Sequence, residues 1–209
     1  KVLNQYPRES WHLATKMPGH QMRLTDGRLE MVGYLTGLTI ASPADIFEEQ
    51  LKKCGVDYFD FYLLHNVCEA AYDLYTDEEL GIVEYLLAQK KAGRIRHLGF
   101  SAHARAETID QFLNWNDSFE FVQIQLNYLD WTLQDARRKY EVITEHGIPV
   151  IVMEGVRGGR LASLNEKAEA MLKQARPNDS IASWAFRFLQ SLPNVQVVLS
   201  GMTTMEQVV

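Results

Sequence analysis

Short apolar runs alternate along the chain with longer segments of helical period. Residues 11–16 read as a short strand, stopped by Pro18 and Gly19. Pro43–Cys54 reads as a helix: Ser42 caps it ahead of Pro43, Ile46, Phe47 and Leu51 make one apolar face, and Gly55 stops it. Residues 56–65 hold a second strand. Residues 76–92 predict a helix opened by a capping box of Thr76 and Glu79, with Gly93 as its stop. Then come a strand at 95–101, a helix at 104–115, a strand at 119–125, a helix at 132–146 ending at Gly147, and a strand at 149–154. Helical patterns follow at Glu166–Ala175 and, behind Asp179 as cap, at 180–192, where Trp184, Phe186, Phe188 and Leu189 are expected in the core. Residues 195–200 form the sixth strand.

These strands are near-continuous apolar runs, the signature of parallel strands covered by helices. The repeating strand–helix units select an α/β fold. An open doubly wound sheet and a (β/α)8 TIM barrel both fit. A doubly wound dinucleotide fold should carry Gly-x-Gly-x-x-Gly after its first strand, and none is present. Polar groups instead end nearly every strand: Lys16, His65, Ser101, Gln123, Glu154 and Ser200. A barrel gathers its chemistry on that face, which favours the barrel. Residues 22–41 break the rhythm, with a turn signal at Thr25-Asp26-Gly27. They read as a hairpin or loop beside the mouth: a surface excursion without chemistry, a lid, or an aberrant insertion.

The composition narrows the function classes. With 46% apolar residues, the 209-residue chain has ample material for a core. Lys+Arg 21 against Asp+Glu 27 gives a net charge of −6, which argues against a general nucleic-acid binder. No apolar run approaches the roughly 20 residues of a membrane span, and residues 1–7 do not read as a signal peptide. Cys54 and Cys68 cannot make a disulfide framework or a four-thiolate metal site, and as free thiols they suggest a reducing cytoplasm. The first residue is Lys rather than Met, so a fragment or processed chain is expected.

Lys16 ends an apolar strand, as a solvated lysine or as an ammonium aimed into a cavity. His65 ends another, as a satisfied strand-end imidazole or as a proton-transfer group. Together, at the ends of neighbouring strands, they suit proton transfer to a carbonyl oxygen. The turn Gly155-Val156-Arg157-Gly158-Gly159 and the segment from Ser200 to Thr204 each offer backbone N–H groups to an anion, and their pairing on the last two strands points to a phosphate-bearing ligand. His97 and His103 have no carboxylate spaced for a metal triad, so no metal is expected. Asp77-Glu78-Glu79 reads as a solvated helix start, Lys52-Lys53 and Lys90-Lys91 as charges near helix C-termini. No Gly-x-Ser-x-Gly elbow is present.

Residues 11–19, 51–65 and 93–101, Gln123-Ile124-Gln125-Leu126-Asn127-Tyr128, residues 179–185, and Val198-Leu199-Ser200-Gly201-Met202 together resemble the aldo-keto reductase family. The resemblance covers nearly the whole chain except residues 22–41, and is nearest to the bacterial branch with a C-terminal iron–sulfur segment. That segment, with its cluster, would belong only to a longer parent. The resemblance implies a (β/α)8 barrel that transfers hydride from NADP(H), with NAD(H) as the other candidate, to a small-molecule aldehyde or ketone. The family's tetrad is Asp, Tyr, Lys and His. Lys16 matches the lysine and His65 the histidine, and the Asp and Tyr are expected upstream of residue 1. Ser101 and Gln123 match residues that hold the nicotinamide carboxamide, with Ala102 where many members have Asn. Met153 stands where many members stack an aromatic ring on the nicotinamide. Glu154, Val156, Arg157 and Gly158 match the pyrophosphate loop, with Gly155 in place of the usual Pro. Ser200, Gly201, Met202, Thr203 and Gln207 match the 2′-phosphate loop; Thr203 replaces a common basic residue, which weakens a preference for NADP over NAD.

The expectation is one incomplete barrel domain over residues 1–209, family strands three to eight, truncated at both ends, with 22–41 as an atypical insertion. Its function would be NAD(P)H-dependent carbonyl reduction, with little activity in this chain and no nucleic-acid or membrane partner. The alternatives are a non-catalytic nucleotide-binding or regulatory barrel and another phosphate-binding barrel enzyme.

Overall fold

A computed structural model describes residues 2–25, 28–32 and 42–208. It divides into two compact units, Lys1–Val122 and Gln123–Val209.

The first unit runs β1 (Ala14–Met17), β2 (Met22–Thr25), β3 (Arg28–Met31), α1 (Pro43–Cys54), β4 (Phe59–Val67), α2 (Tyr72–Thr76), α3 (Ile82–Lys91), β5 (Ile95–Ala102) and α4 (Ala106–Trp115). Strands β1, β4 and β5 lie in that order and pair parallel, with Lys16 opposite Leu63 and Leu64 opposite Phe100. β2 and β3 form a separate antiparallel hairpin, Met22 opposite Met31. Its turn residues 26–27 and the rest of the predicted excursion, 33–41, lie outside the described residues.

Helix α1 forms where its local signals place it. The Asp45 carboxylate accepts the Ser42 N–H at 2.9 Å in a capping box. Gly55 ends the helix at φ 66°, a left-handed conformation that glycine adopts without penalty. Its buried Ile46, Phe47 and Leu51 turn inward, and Phe47 packs edge-on against Phe59 at 5.6 Å. Deeper along the sheet, Phe112 meets Phe100 at 5.1 Å and Phe119 at 5.3 Å, closing an aromatic core. At Gly99 the backbones come so close that a Cβ would run into the Phe121 carbonyl oxygen.

Among the element boundaries that differ from the sequence reading, three in the first unit have a side-chain reason. β1 starts at Ala14 because the buried Asp60 carboxylate takes the Leu13 N–H at 2.8 Å. Asp60 also pairs with Arg8 at 2.6 Å and Arg96 at 3.0 Å. Burial pushes its carboxyl up, but the Leu13 N–H and the Arg8 and His12 contacts together hold it below the ordinary range. The predicted helix 76–92 is two helices. Thr76 ends the first rather than capping the second, its hydroxyl donating back to the Tyr72 carbonyl at 3.1 Å. Asp77 then takes the Leu80 N–H at 2.9 Å in a turn, and α3 starts only after Gly81. Helix α4 opens at Ala106 because Glu69, from the loop after β4, accepts the Arg105 N–H and the Thr108 hydroxyl, both at 2.9 Å.

The second unit carries β6 (Val122–Gln125, whose first residue belongs to the first unit), α5 (Asp130–Leu133), α6 (Ala136–Glu145), β7 (Val150–Met153), α7 (Glu166–Ala175), α8 (Ile181–Gln190), β8 (Val195–Val198) and α9 (Met205–Val208). β7 lies between β6 and β8, pairing parallel with β8 so that Val152 faces Val198. The predicted helix 132–146 is broken at Asp135, which sits at φ 51°. The cap of α8 is Ser180, whose hydroxyl oxygen accepts the Ser183 N–H at 3.2 Å; Asp179 is engaged by Arg187 at 2.8 Å. The buried stripe of α8 is Ile181, Ala185 and Leu189, so of the four expected core residues only Leu189 is fully enclosed. Trp184, Phe186 and Phe188 flank the stripe half-buried, Phe188 against Trp131 at 5.3 Å. Among the described residues, no helix is long and apolar enough to cross a membrane.

Candidate active site

In the first unit the strands deliver Lys16, His65 and Ser101 to the C-terminal ends of β1, β4 and β5. Lys16 is half-buried, and that burial holds its ammonium below the ordinary lysine range. Its own carbonyl accepts the Gln50 amide at 2.9 Å, and Gln50 in turn accepts the buried Tyr62 hydroxyl at 2.8 Å. An edge-strand carbonyl is thus satisfied by a helix side chain.

His65 is half-buried one residue before a backbone outlier. Asn66 adopts φ 60°, unusual for any residue but glycine, and its N–H donates to the Ser101 hydroxyl oxygen at 3.0 Å. Ser101 is 1% exposed, and a hydroxyl that accepts retains its own proton to donate. The Tyr75 hydroxyl donates to the His65 carbonyl at 2.7 Å and lies 3.3 Å from that of Met17.

A cavity of about 500 Å³ opens beside Asn66. Met22, Arg23 and Val32, from the hairpin and the residue after it, line it together with Asn66, Cys68 and Leu74. Met22 and Arg23 of the hairpin, and Val32 after it, therefore wall a cavity next to Asn66.

In the second unit Gln123 is 4% exposed and donates its amide to the Met153 sulfur at 3.2 Å. β7 ends at Met153, and the next residue, Glu154, is again left-handed at φ 60°. Arg157, Gly158 and Gly159 follow at φ 50°, 60° and 88°. These residues make a tight glycine-rich turn, within which the Arg157 N–H already donates to the Glu154 carbonyl at 2.8 Å. Val156 is half-buried, while Glu154 and Gly158 are exposed.

Two buried residues organise this turn. The Asn127 amide donates to the Glu154 carbonyl at 3.0 Å and to Asp130 Oδ2 at 2.7 Å. Asp130, fully buried, also accepts the Gln125 amide at 2.8 Å, and its other oxygen faces Arg157 Nε at 3.4 Å. The cation expected to meet an anion is therefore already paired with a carboxylate.

After β8, Ser200, Gly201, Met202, Thr203 and Gln207 are exposed. Gln207 Oε1 accepts the Thr203 N–H at 2.7 Å and the Thr204 N–H at 3.2 Å, so an amide occupies donors that a phosphate would use.

Sequence reasoning missed Tyr75, Gln50, Asn127 and Asp130. Only the last pair left a signal: Asn and Asp three apart just after a strand mark a side-chain-capped turn. His97, set aside as a ligand, contacts Glu120 at 3.3 Å. Among the described residues, no three His, Cys, Asp or Glu side chains gather as a metal site requires.

A family model described as "Aldo/keto reductase family" matches residues 1–209. No curated protein sequence matches. The chain is similar in structure to the holo form of the aldo-keto reductase AKR11C1 from Bacillus halodurans, at TM-score 0.69 and 22% identity over 98% of this chain and 67% of that one. It is similar to an aldo/keto reductase from Brucella melitensis, at TM-score 0.68 and 19% identity, covering 99% and 69%. The glycerol dehydrogenase AKR11B4 from Gluconobacter oxydans is alike at TM-score 0.69 and 18% identity, covering 99% and 67%. Across these and other solved relatives the chain spans 63% to 69% of their length. These likenesses settle the architecture left open by the sequence: an α/β chain of the reductase barrel type, incomplete relative to them.

Proposed function

The chain belongs to the aldo/keto reductase family, and from that premise we propose that it is an oxidoreductase reducing a small aldehyde or ketone with a nicotinamide dinucleotide. One observation carries the reading: a half-buried Lys16 of lowered pKa and a half-buried His65 end two strands that pair directly, and Asn66, next after His65, lines a cavity of about 500 Å³.

Individual donors suit parts of such a cofactor, while Arg157 is engaged by Asp130 and the Thr203 and Thr204 N–H groups by Gln207. Ser101 has a hydroxyl proton to give, and Gln123 has an amide held in place by Met153; each by itself is of the type that binds a carboxamide. The glycine-rich turn at Arg157, Gly158 and Gly159 exposes backbone that a diphosphate could approach. When bound, the nicotinamide supplies the hydride.

The chain's own residues do the rest. The Lys16 ammonium sets positive charge where a carbonyl oxygen becomes an alkoxide, and partial desolvation strengthens that interaction. His65 offers a hydrogen bond that orients the carbonyl. Lys16 and His65 are two of the family's four tetrad residues, so turnover by residues 1–209 alone is expected to be slow. NADP(H) is the family's common cofactor. The segment Ser200 to Gln207 holds Glu206 and no Lys or Arg, so NAD(H) is expected to bind comparably.

Fluorescence titration of the chain with NADPH and with NADH tests the reading. Saturable binding is expected for both, weakened by Gln123→Ala. Absence of saturable binding by either overturns it and favours another phosphate-binding barrel.

A further inference from the structure

Tyr75 sits on α2, is 1% exposed, and reaches across the ends of two strands. The ladder between β1 and β4 stops at Met17 opposite Leu64. β1 then leaves at Pro18, while β4 runs on to Val67 opposite Ala102 of β5. Past the ladder, the phenol bridges the two chains: its oxygen lies 2.7 Å from the His65 carbonyl and 3.3 Å from that of Met17. The Gly19 backbone also hydrogen-bonds the phenol, and Gly19 leaves the room, since a Cβ there would collide with the hydroxyl. Burial pushes the phenol's pKa up, so it stays a donor across the working pH range.

We propose that Tyr75 is a positioning residue for carbonyl reduction, fixing the spacing of Lys16 and His65 through the carbonyls of Met17 and His65. The inference rests on the function proposed above. Asn66, left-handed directly after His65, gives the segment a reason to relax once the tie is cut. Misplacement of catalytic groups by about 1 Å can cost about a hundredfold in rate.

The test is Tyr75→Phe in the full chain, which keeps the ring and removes the tie. Tyr140→Phe is the control, because the Tyr140 hydroxyl accepts the Asn194 N–H at 2.9 Å within the second unit. The readouts are the NMR resonance and titration midpoint of the His65 imidazole, and kcat against KM. Tyr75→Phe is expected to move both His65 readouts and lower kcat by about tenfold to a hundredfold with cofactor KM unchanged, while Tyr140→Phe moves neither. Gly19→Ala, whose Cβ displaces the hydroxyl from the other side, is expected to move the same resonance and serves if Tyr75→Phe does not fold. Unaltered His65 readouts and kcat in the folded variant overturn the proposal. If the wild-type chain reduces no carbonyl, the functional reading fails, and the His65 readouts alone decide the positioning role.

Discussion

The Ser101 hydroxyl oxygen stands 3.0 Å from the Asn66 nitrogen and accepts its N–H, tying the end of β5 to the left-handed residue that follows His65. One buried hydroxyl thus supports the backbone behind a candidate catalytic group and keeps a proton for a second partner. Ser101→Ala is expected to cost about 1–2 kcal/mol in denaturant unfolding, because the half-buried Asn66 N–H loses its acceptor. The same variant is expected to weaken NAD(P)H binding by roughly tenfold, equivalent to about 1.4 kcal/mol. Loss of stability with unchanged affinity would leave Ser101 a structural role only.

Asn127 connects the end of β6 to the end of β7 through the Glu154 carbonyl, and supplies a donor to the buried Asp130. Asn127→Ala is expected to destabilise by about 3 kcal/mol, since it leaves a buried carboxylate with fewer donors. It should also loosen the 154–161 turn, read as faster amide hydrogen exchange there. A variant with wild-type stability would show that the network is dispensable.

Glu69 caps α4 from a distance and carries a pKa lowered from 4.5 to about 2, chiefly by the Arg105 N–H, with Thr108 and Arg105 side-chain contacts adding to it. The group binds its proton more weakly in the folded state, so its contribution is present above pH 4.5 and lost as pH falls toward 2. Glu69→Gln is expected to flatten the fall in stability across that window in acid titrations followed by circular dichroism. An equally steep fall in the variant would assign the acid sensitivity to other carboxylates.

Gly99 is required by close approach, because an added Cβ would meet the Phe121 carbonyl oxygen. Gly99→Ala is expected to cost about 1–3 kcal/mol from the backbone shift it forces, measured as a lowered unfolding midpoint. An unshifted midpoint would mean that the strand and the Phe121 segment yield freely.

For two helices with clear local caps, the sequence reading and the structure agree. Helix α1 spans Pro43–Cys54 in both, because Ser42, Asp45 and Gly55 cap it locally. Helix α7 is likewise legible at Glu166–Ala175, with Asn165 capping it. The strand ends bearing Lys16, His65, Ser101 and Gln123 were legible because a polar group after an apolar run is a local signal. Other boundaries were not: Asp60 delays β1 from 47 residues away, while Asp77 and Gly81 split the helix read over 76–92 and Asp135 breaks the one over 132–146 by local left-handed or capped turns that the helical period masks. The frame behind the site was equally hidden, since nothing adjacent to Tyr75 or Gln50 in the sequence shows that they hold the carbonyls of His65 and Lys16.

The most direct measurement is deuteride transfer from [4-²H]NADPH to an aldehyde panel by the 209-residue chain, with the alcohol product read by mass spectrometry so that slow turnover still registers. The account predicts deuterium on the carbinol carbon, reduced at least about tenfold in Lys16→Met and in His65→Gln, each a loss of roughly 1.4 kcal/mol or more of transition-state stabilisation. A chain that binds the cofactor but delivers no deuterium, or delivers it equally well in both variants, would contradict it.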